Sequence, residues 1–158
     1  MWIGEHQTTL QGTFQVLYLD FSRASGGSGS LSENFDRYCS MVMDMFGMSY
    51  ESYYYPGFAN EMKALPDFVS KLNYLNLHAP ETGAHLYLII DEYDNFTNII
   101  LNEQGNDVYH ALTHASGFYR EIFKKFKGMF ERIFMTGVSP VTLDDLTSGF
   151  NICLLYTS

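Results

Sequence analysis

The chain has 158 residues, 46% of them hydrophobic and 16% aromatic, which suits one domain with a single core. No stretch approaches the apolar length of a membrane span and the first residues have no signal-peptide pattern, so no membrane anchor is expected and the compartment is read as cytoplasmic. A formal net charge of −9 opposes a basic grip on phosphates, so no direct nucleic-acid contact is expected from this segment. The two cysteines, Cys39 and Cys153, supply neither a metal set nor a disulfide framework.

Gln15 to Phe21 (QVLYLDF) is rich in β-formers and predicts a strand, with Asp20 and Ser22 at its end. Ser25 to Ser30 (SGGSGS) reads as a flexible loop. Ser30 and Glu33 then form a capping box, in which the serine oxygen accepts from the third amide and the glutamate reaches back. The helix it opens is expected to run to about Phe46, with Leu31, Phe35, Tyr38, Cys39, Val42, Met45 and Phe46 at helical spacing and Gly47 as its stop. Cys39 falls on the apolar face with no basic neighbour in sequence, so it reads as a small core residue rather than a nucleophile.

Tyr50 to Phe58 (YESYYYPGF) could stack a base, but the commoner use of such a cluster is to pack a loop against the body. A helix is expected from near Pro66, with Phe68, Val69, Leu72 and Leu75 on its apolar side, and His78 to Ala84 as a turn-rich connection.

The stretch Leu86-Tyr87-Leu88-Ile89-Ile90-Asp91-Glu92-Tyr93-Asp94 follows. Five apolar residues in a row predict a strand buried on both faces, as in a parallel sheet. The run stops at two adjacent carboxylates, where an open α/β sheet places its ligands. Acidic groups there can hold a hydrated Mg²⁺ and orient a water. The plainer reading is a buried strand whose polar end meets solvent.

Asn95 to Leu101 predicts a short helix or loop, and a longer helix follows through Val108, Leu112, Ala115, Tyr119, Ile122 and Phe126, with Gly117 as a place to kink. His110 and His114 stand one turn apart, a zinc-compatible spacing that no further Cys or His completes. Lys124, Lys125 and Lys127 suit a helix C-terminus. Arg132 to Thr136 (RIFMT) is the next strand, Gly137 opens a turn, and Val141 to Phe150 reads as a loop and short helix carrying Asp144 and Asp145. Cys153 to Ser158 (CLLYTS) has the look of a translated sequencing-library adapter and is set apart from the fold; the competing reading is an apolar final strand.

Taken together, LYLIIDEYDNF, FYREIFKKFKG and RIFMTGVSPVTLDDLTSGFNI resemble the predicted AAA-ATPase-like family of P-loop NTPases, and WIGEHQTTLQGTFQVLYLDFS resembles the segment after that family's phosphate loop. The resemblance spans nearly all of residues 2–152 and is loosest from the SGGSGS loop to Leu77. It implies a three-layer α/β fold with a P-loop NTPase-type parallel sheet, in which the Leu86 strand lies between those at Gln15 and Arg132. It implies ATP and Mg²⁺ as the ligands of the complete protein, Asp91 as the metal residue (a Walker B aspartate), Glu92 as the residue that polarises the attacking water, and Thr136 as a sensor of the γ-phosphate. Relatives often continue into a nuclease-like C-terminal domain.

One departure counts against a complete site: no G-x-x-x-x-G-K-[ST] occurs in the chain, and Gly26-Gly27-Ser28-Gly29 has no following Lys-Ser or Lys-Thr. Residues 1–152 are therefore expected to be part of an AAA-ATPase-like domain truncated at both ends, whose partner is the missing N-terminal part of the same domain, and which is inactive alone. The bare side of the Arg132 strand would mark the lost phosphate-loop strand. Two other functions compete: a non-catalytic interaction module in which Asp91 and Glu92 only end a strand, and a metal-dependent hydrolase using Asp91, Glu92 and Asp94 directly.

Overall fold

The computed structural model describes residues 8–25, 28–104, 118–137 and 153–156. Its centre is a parallel sheet in the order β1 (Phe14–Asp20), β2 (His85–Asp91), β3 (Arg132–Gly137) and β4 (Cys153–Tyr156). The Leu86 run is an interior strand, between β1 and β3 as expected. Parallel neighbours need long crossovers, and among the described residues five α-helices fall in or beside them: α1 (Leu31–Tyr50), α2 (Phe58–Lys63), α3 (Phe68–Thr82), α4 (Tyr93–Gln104) and α5 (Phe118–Met129).

Leu17 and Leu19 of β1, Leu86, Leu88 and Ile90 of β2 and Met135 of β3 share one buried cluster with the helices. Phe35, Cys39, Met43 and Phe46 enter it from α1, Phe68, Leu72 and Leu75 from α3, Phe96 from α4, and Tyr119, Ile122, Phe123 and Phe126 from α5. Alternate strand positions face the other way: Val16, Tyr87, Ile89 and Phe134 are half-buried and Tyr18 is exposed. The uninterrupted apolar run of β2 predicted burial on both faces. Among the described residues one face is sealed and the other partly open, so two layers of the expected three are present.

Three expectations change in detail. The tail Cys153–Tyr156, set apart from the fold above, pairs with β3, so the side of β3 expected to be bare is occupied. Open strand edges template any apolar, β-favouring neighbour, and this segment is one. Helix α1 keeps its capping box, with Ser30 N–H donating to Glu33 Oε2 at 2.7 Å, but it runs through Gly47 instead of stopping there. Gly47 is buried where α2 crosses: an added Cβ would lie 3.1 Å from Met62 Sδ. Its value is close approach rather than termination. Helix α3 starts at Phe68, just past Pro66, and continues through Pro80 to Thr82, so the turn reduces to Gly83, whose φ is +69°.

The tyrosine cluster packs the body, as read. Tyr54 stacks on Phe58 with ring centroids 3.9 Å apart and its hydroxyl donates to Gln15 Oε1 at 2.6 Å; burial holds that phenol up at about 12. The outer edge of β1 is also managed by tyrosines: Val16 N–H donates to Tyr50 Oη and Asp20 N–H to Tyr38 Oη, each at 2.9 Å. Cys39 is fully buried, and desolvation pushes its thiol well above the ordinary range, which fits a core residue. His110, His114 and the Val141–Phe150 stretch lie outside the described residues.

Candidate functional site

Register brings the carboxyl ends of three strands together. Asp20 of β1 stands opposite Asp91 of β2, and Ile90 of β2 stands opposite Met135, one residue before Thr136 of β3. The pleat then puts Asp20, Asp91 and Thr136 on the half-open face, away from the leucine core. Two of the three candidate residues meet directly: the Thr136 hydroxyl donates to Asp91 Oδ1. The same oxygen accepts the Glu92 backbone N–H at 3.1 Å. Asp91 Oδ2 accepts the Tyr18 hydroxyl at 3.1 Å. A half-buried carboxylate is thus held from β1, from β3 and from its own chain.

Glu92 joins this set only through its backbone N–H. The strand ends at Asp91, and Glu92 turns into the left-handed region, φ +54°, the only described non-glycine residue to do so. Its carbonyl accepts the Asn95 N–H at 3.0 Å, starting α4, and its side chain is exposed. An extended strand would aim Asp91 and Glu92 to opposite sides. The left-handed turn instead carries Glu92 out over the strand tip, free of the sheet. Such a conformation costs a residue with a Cβ on the order of 1–2 kcal/mol and gathers at functional positions.

Asp94, the third carboxylate of the sequence motif, is buried in the first turn of α4, with Asn98 Nδ2 donating to its Oδ2 at 3.4 Å. It belongs to the packing between α4 and β3. An added Cβ at Gly137 would fall 2.6 Å from Asp94 Oδ1 and nearer still to Tyr93 Cε1. Gly137 is the last residue of β3, and its lack of a side chain lets α4 approach the tip of that strand. Sequence reading also missed the Tyr18–Asp91 contact. The signal that could have found it is parallel alignment of QVLYLDF on LYLIIDE, which sets Asp20 opposite Asp91 and puts Tyr18 two residues back on the same face.

Among the described residues, no three His, Cys, Asp or Glu side chains come together as a metal cage. Asp91, Glu92 and Asp94 are therefore not gathered into one such group. Mg²⁺ needs no such cage: it keeps several waters and is commonly held through one or two carboxylates plus substrate phosphates. Asp91, oriented and half-buried with Asp20 beside it, fits that donor set. Asp20 is held as well, its Oδ1 accepting the Ser22 N–H at 3.0 Å and the Ser22 hydroxyl at 2.6 Å.

An open parallel α/β sheet places its ligands at the carboxyl ends of the strands, and the clamped Asp91 stands at such an end. A family model described as Predicted AAA-ATPase matches residues 1–147, and the chain belongs to that family. No curated protein and no solved structure matches the chain. No helix among the described residues is long and apolar enough to cross a membrane.

Proposed function

We propose that this chain carries the metal-holding and water-orienting side of an ATP-hydrolysing site. The observation that supports the reading most directly is the clamp on Asp91, set at the carboxyl end of an interior parallel strand in a chain of the predicted AAA-ATPase family. Asp91 would hold Mg²⁺, largely through its waters. A bound Mg²⁺ supplies charge neutralisation on the phosphates during transfer. Glu92, exposed and turned out at the strand tip, would accept a proton from the attacking water. Thr136, at the tip of the adjoining strand, would keep Asp91 oriented and sense the phosphate end. Phosphate cradling has to come from residues other than a G-x-x-x-x-G-K-[ST] loop within this sequence, since it contains none.

The test is steady-state ATP hydrolysis, with a parallel nucleotide titration, on the protein as its gene encodes it. Glu92→Gln keeps size and removes charge, so turnover should fall roughly 10²–10⁴-fold with affinity nearly unchanged. Asp91→Asn should weaken Mg²⁺-dependent binding as well. Near-normal turnover in Glu92→Gln would remove Glu92 from catalysis and leave it as a strand-end residue.

A further inference from the structure

One contact to Asp91 has no role assigned so far, the one from β1. Tyr18 lies on the open face of that strand, opposite Ile89 in the register, and reaches diagonally to Asp91. Diagonal cross-strand neighbours lie within reach of aromatic side chains, so the pairing follows from the register itself. Tyr18 is 49% exposed, so it contributes little to the core. Tyr18 lines a cleft of about 300 Å³ between β1 and α1, together with Met41, Val42 and Met45.

We propose that Tyr18 is a positioning residue for Asp91, acting with Thr136 to fix the plane of the carboxylate that meets the metal; the inference rests on Asp91 being the metal residue. The two hydroxyls approach from opposite neighbouring strands and take different oxygens, Oδ1 from β3 and Oδ2 from β1. The donors on Oδ1 already oppose rotation about the Cβ–Cγ bond, and a hydrogen bond at Oδ2 from the opposite side narrows the remaining swing. Each carboxylate oxygen has more than one acceptor direction, so Oδ2 can take the tyrosine proton and still face a metal-bound water. Like charges directly opposite on neighbouring strands repel, and Asp20 faces Asp91 across the β1–β2 ladder. A tyrosine proton on Asp91 offsets part of that repulsion. Removing partners of this outer kind commonly costs 10–100-fold in metal affinity.

The experiment needs no turnover. Mn²⁺ alone, titrated into the ¹⁵N-labelled 158-residue chain, broadens amide signals near the ion it replaces. The Glu92 and Gly137 amides should broaden first. In Tyr18→Phe the Mn²⁺ concentration for half-broadening there should rise about 10-fold. Broadening near Asp44 and Asp67, on the helical layer, should be unchanged in the same sample. A purely structural role would move all of these signals or none. Unchanged half-broadening at Glu92 and Gly137 in Tyr18→Phe, with loss of it in Asp91→Asn, would overturn the role of Tyr18 and leave the metal seat standing. No selective broadening in the parent chain, or equal broadening in Asp91→Asn, would overturn both. Should Tyr18→Phe perturb the strand, Tyr18→Leu and the β1 amide shifts separate loss of the hydroxyl from loss of the register: a shift in affinity with intact β1 signals supports the proposal, and one that tracks the β1 signals counts against it.

Discussion

Thr136 and Asp91 are joined by a hydrogen bond across the β2–β3 ladder, the threonine hydroxyl donating to Oδ1 of the carboxylate. A hydrogen bond to a charged acceptor contributes roughly 1.5–3 kcal/mol. Under the proposed activity, Thr136→Val should therefore lower turnover about 10–100-fold, since about 1.4 kcal/mol is tenfold. Thr136→Ser should restore most of it. Steady-state hydrolysis checks both, and full activity in the valine variant would detach the hydroxyl from catalysis.

Glu92 offers a trade between stability and function. Its φ of +54° suits glycine. Glu92→Gly should raise stability by about 1 kcal/mol, read from the denaturant midpoint, while turnover is lost. A variant that is both less stable and inactive would contradict the strain at this turn.

Gly137 has no room for a side chain, because Asp94 and Tyr93 of α4 close over it. Gly137→Ala forces α4 away from the tip of β3 and should cost about 1–3 kcal/mol. Thermal melting would show it, and an unchanged melting temperature would mean that α4 is free to yield.

Acid should loosen the start of α3 in a defined window. Asp67 Oδ1 accepts the Ser70 N–H at 2.7 Å, and that backbone bond, helped by the Ser70 side chain and opposed by desolvation, holds its carboxyl below the usual range. A lowered folded-state pKa gives stability that is present above the unfolded value and lost as pH falls through the folded one. Asp67→Ala should cost about 1 kcal/mol at neutral pH. The gap between variant and parent should hold down to about pH 4, the ordinary aspartate value, and close below it. Denaturation at several pH values measures it; a gap that persists unchanged at pH 2 would mean that the charge is not what caps the helix.

Sequence by itself determined the local elements, and the family resemblance set the Leu86 strand between its two neighbours. QVLYLD, LYLIID and RIFMTG are strands because their runs are apolar and rich in β-formers, and Ser30 with Glu33 starts α1 because the box satisfies its first amides. It also put the carboxylates at the end of a strand, which is why Asp91 stands among the candidates. Tertiary structure decided what those residues touch. Periodicity cannot tell that Gly47 sits under Met62, or that Lys71 is 3% exposed and paired with Asp44 of α1, because both follow from which helix crosses which. Nor does spacing say which neighbours clamp Asp91. Tyr18 lies 73 positions away and Thr136 45, and only the parallel register, fixed by packing one sheet face on the helices, brings both hydroxyls to one carboxylate.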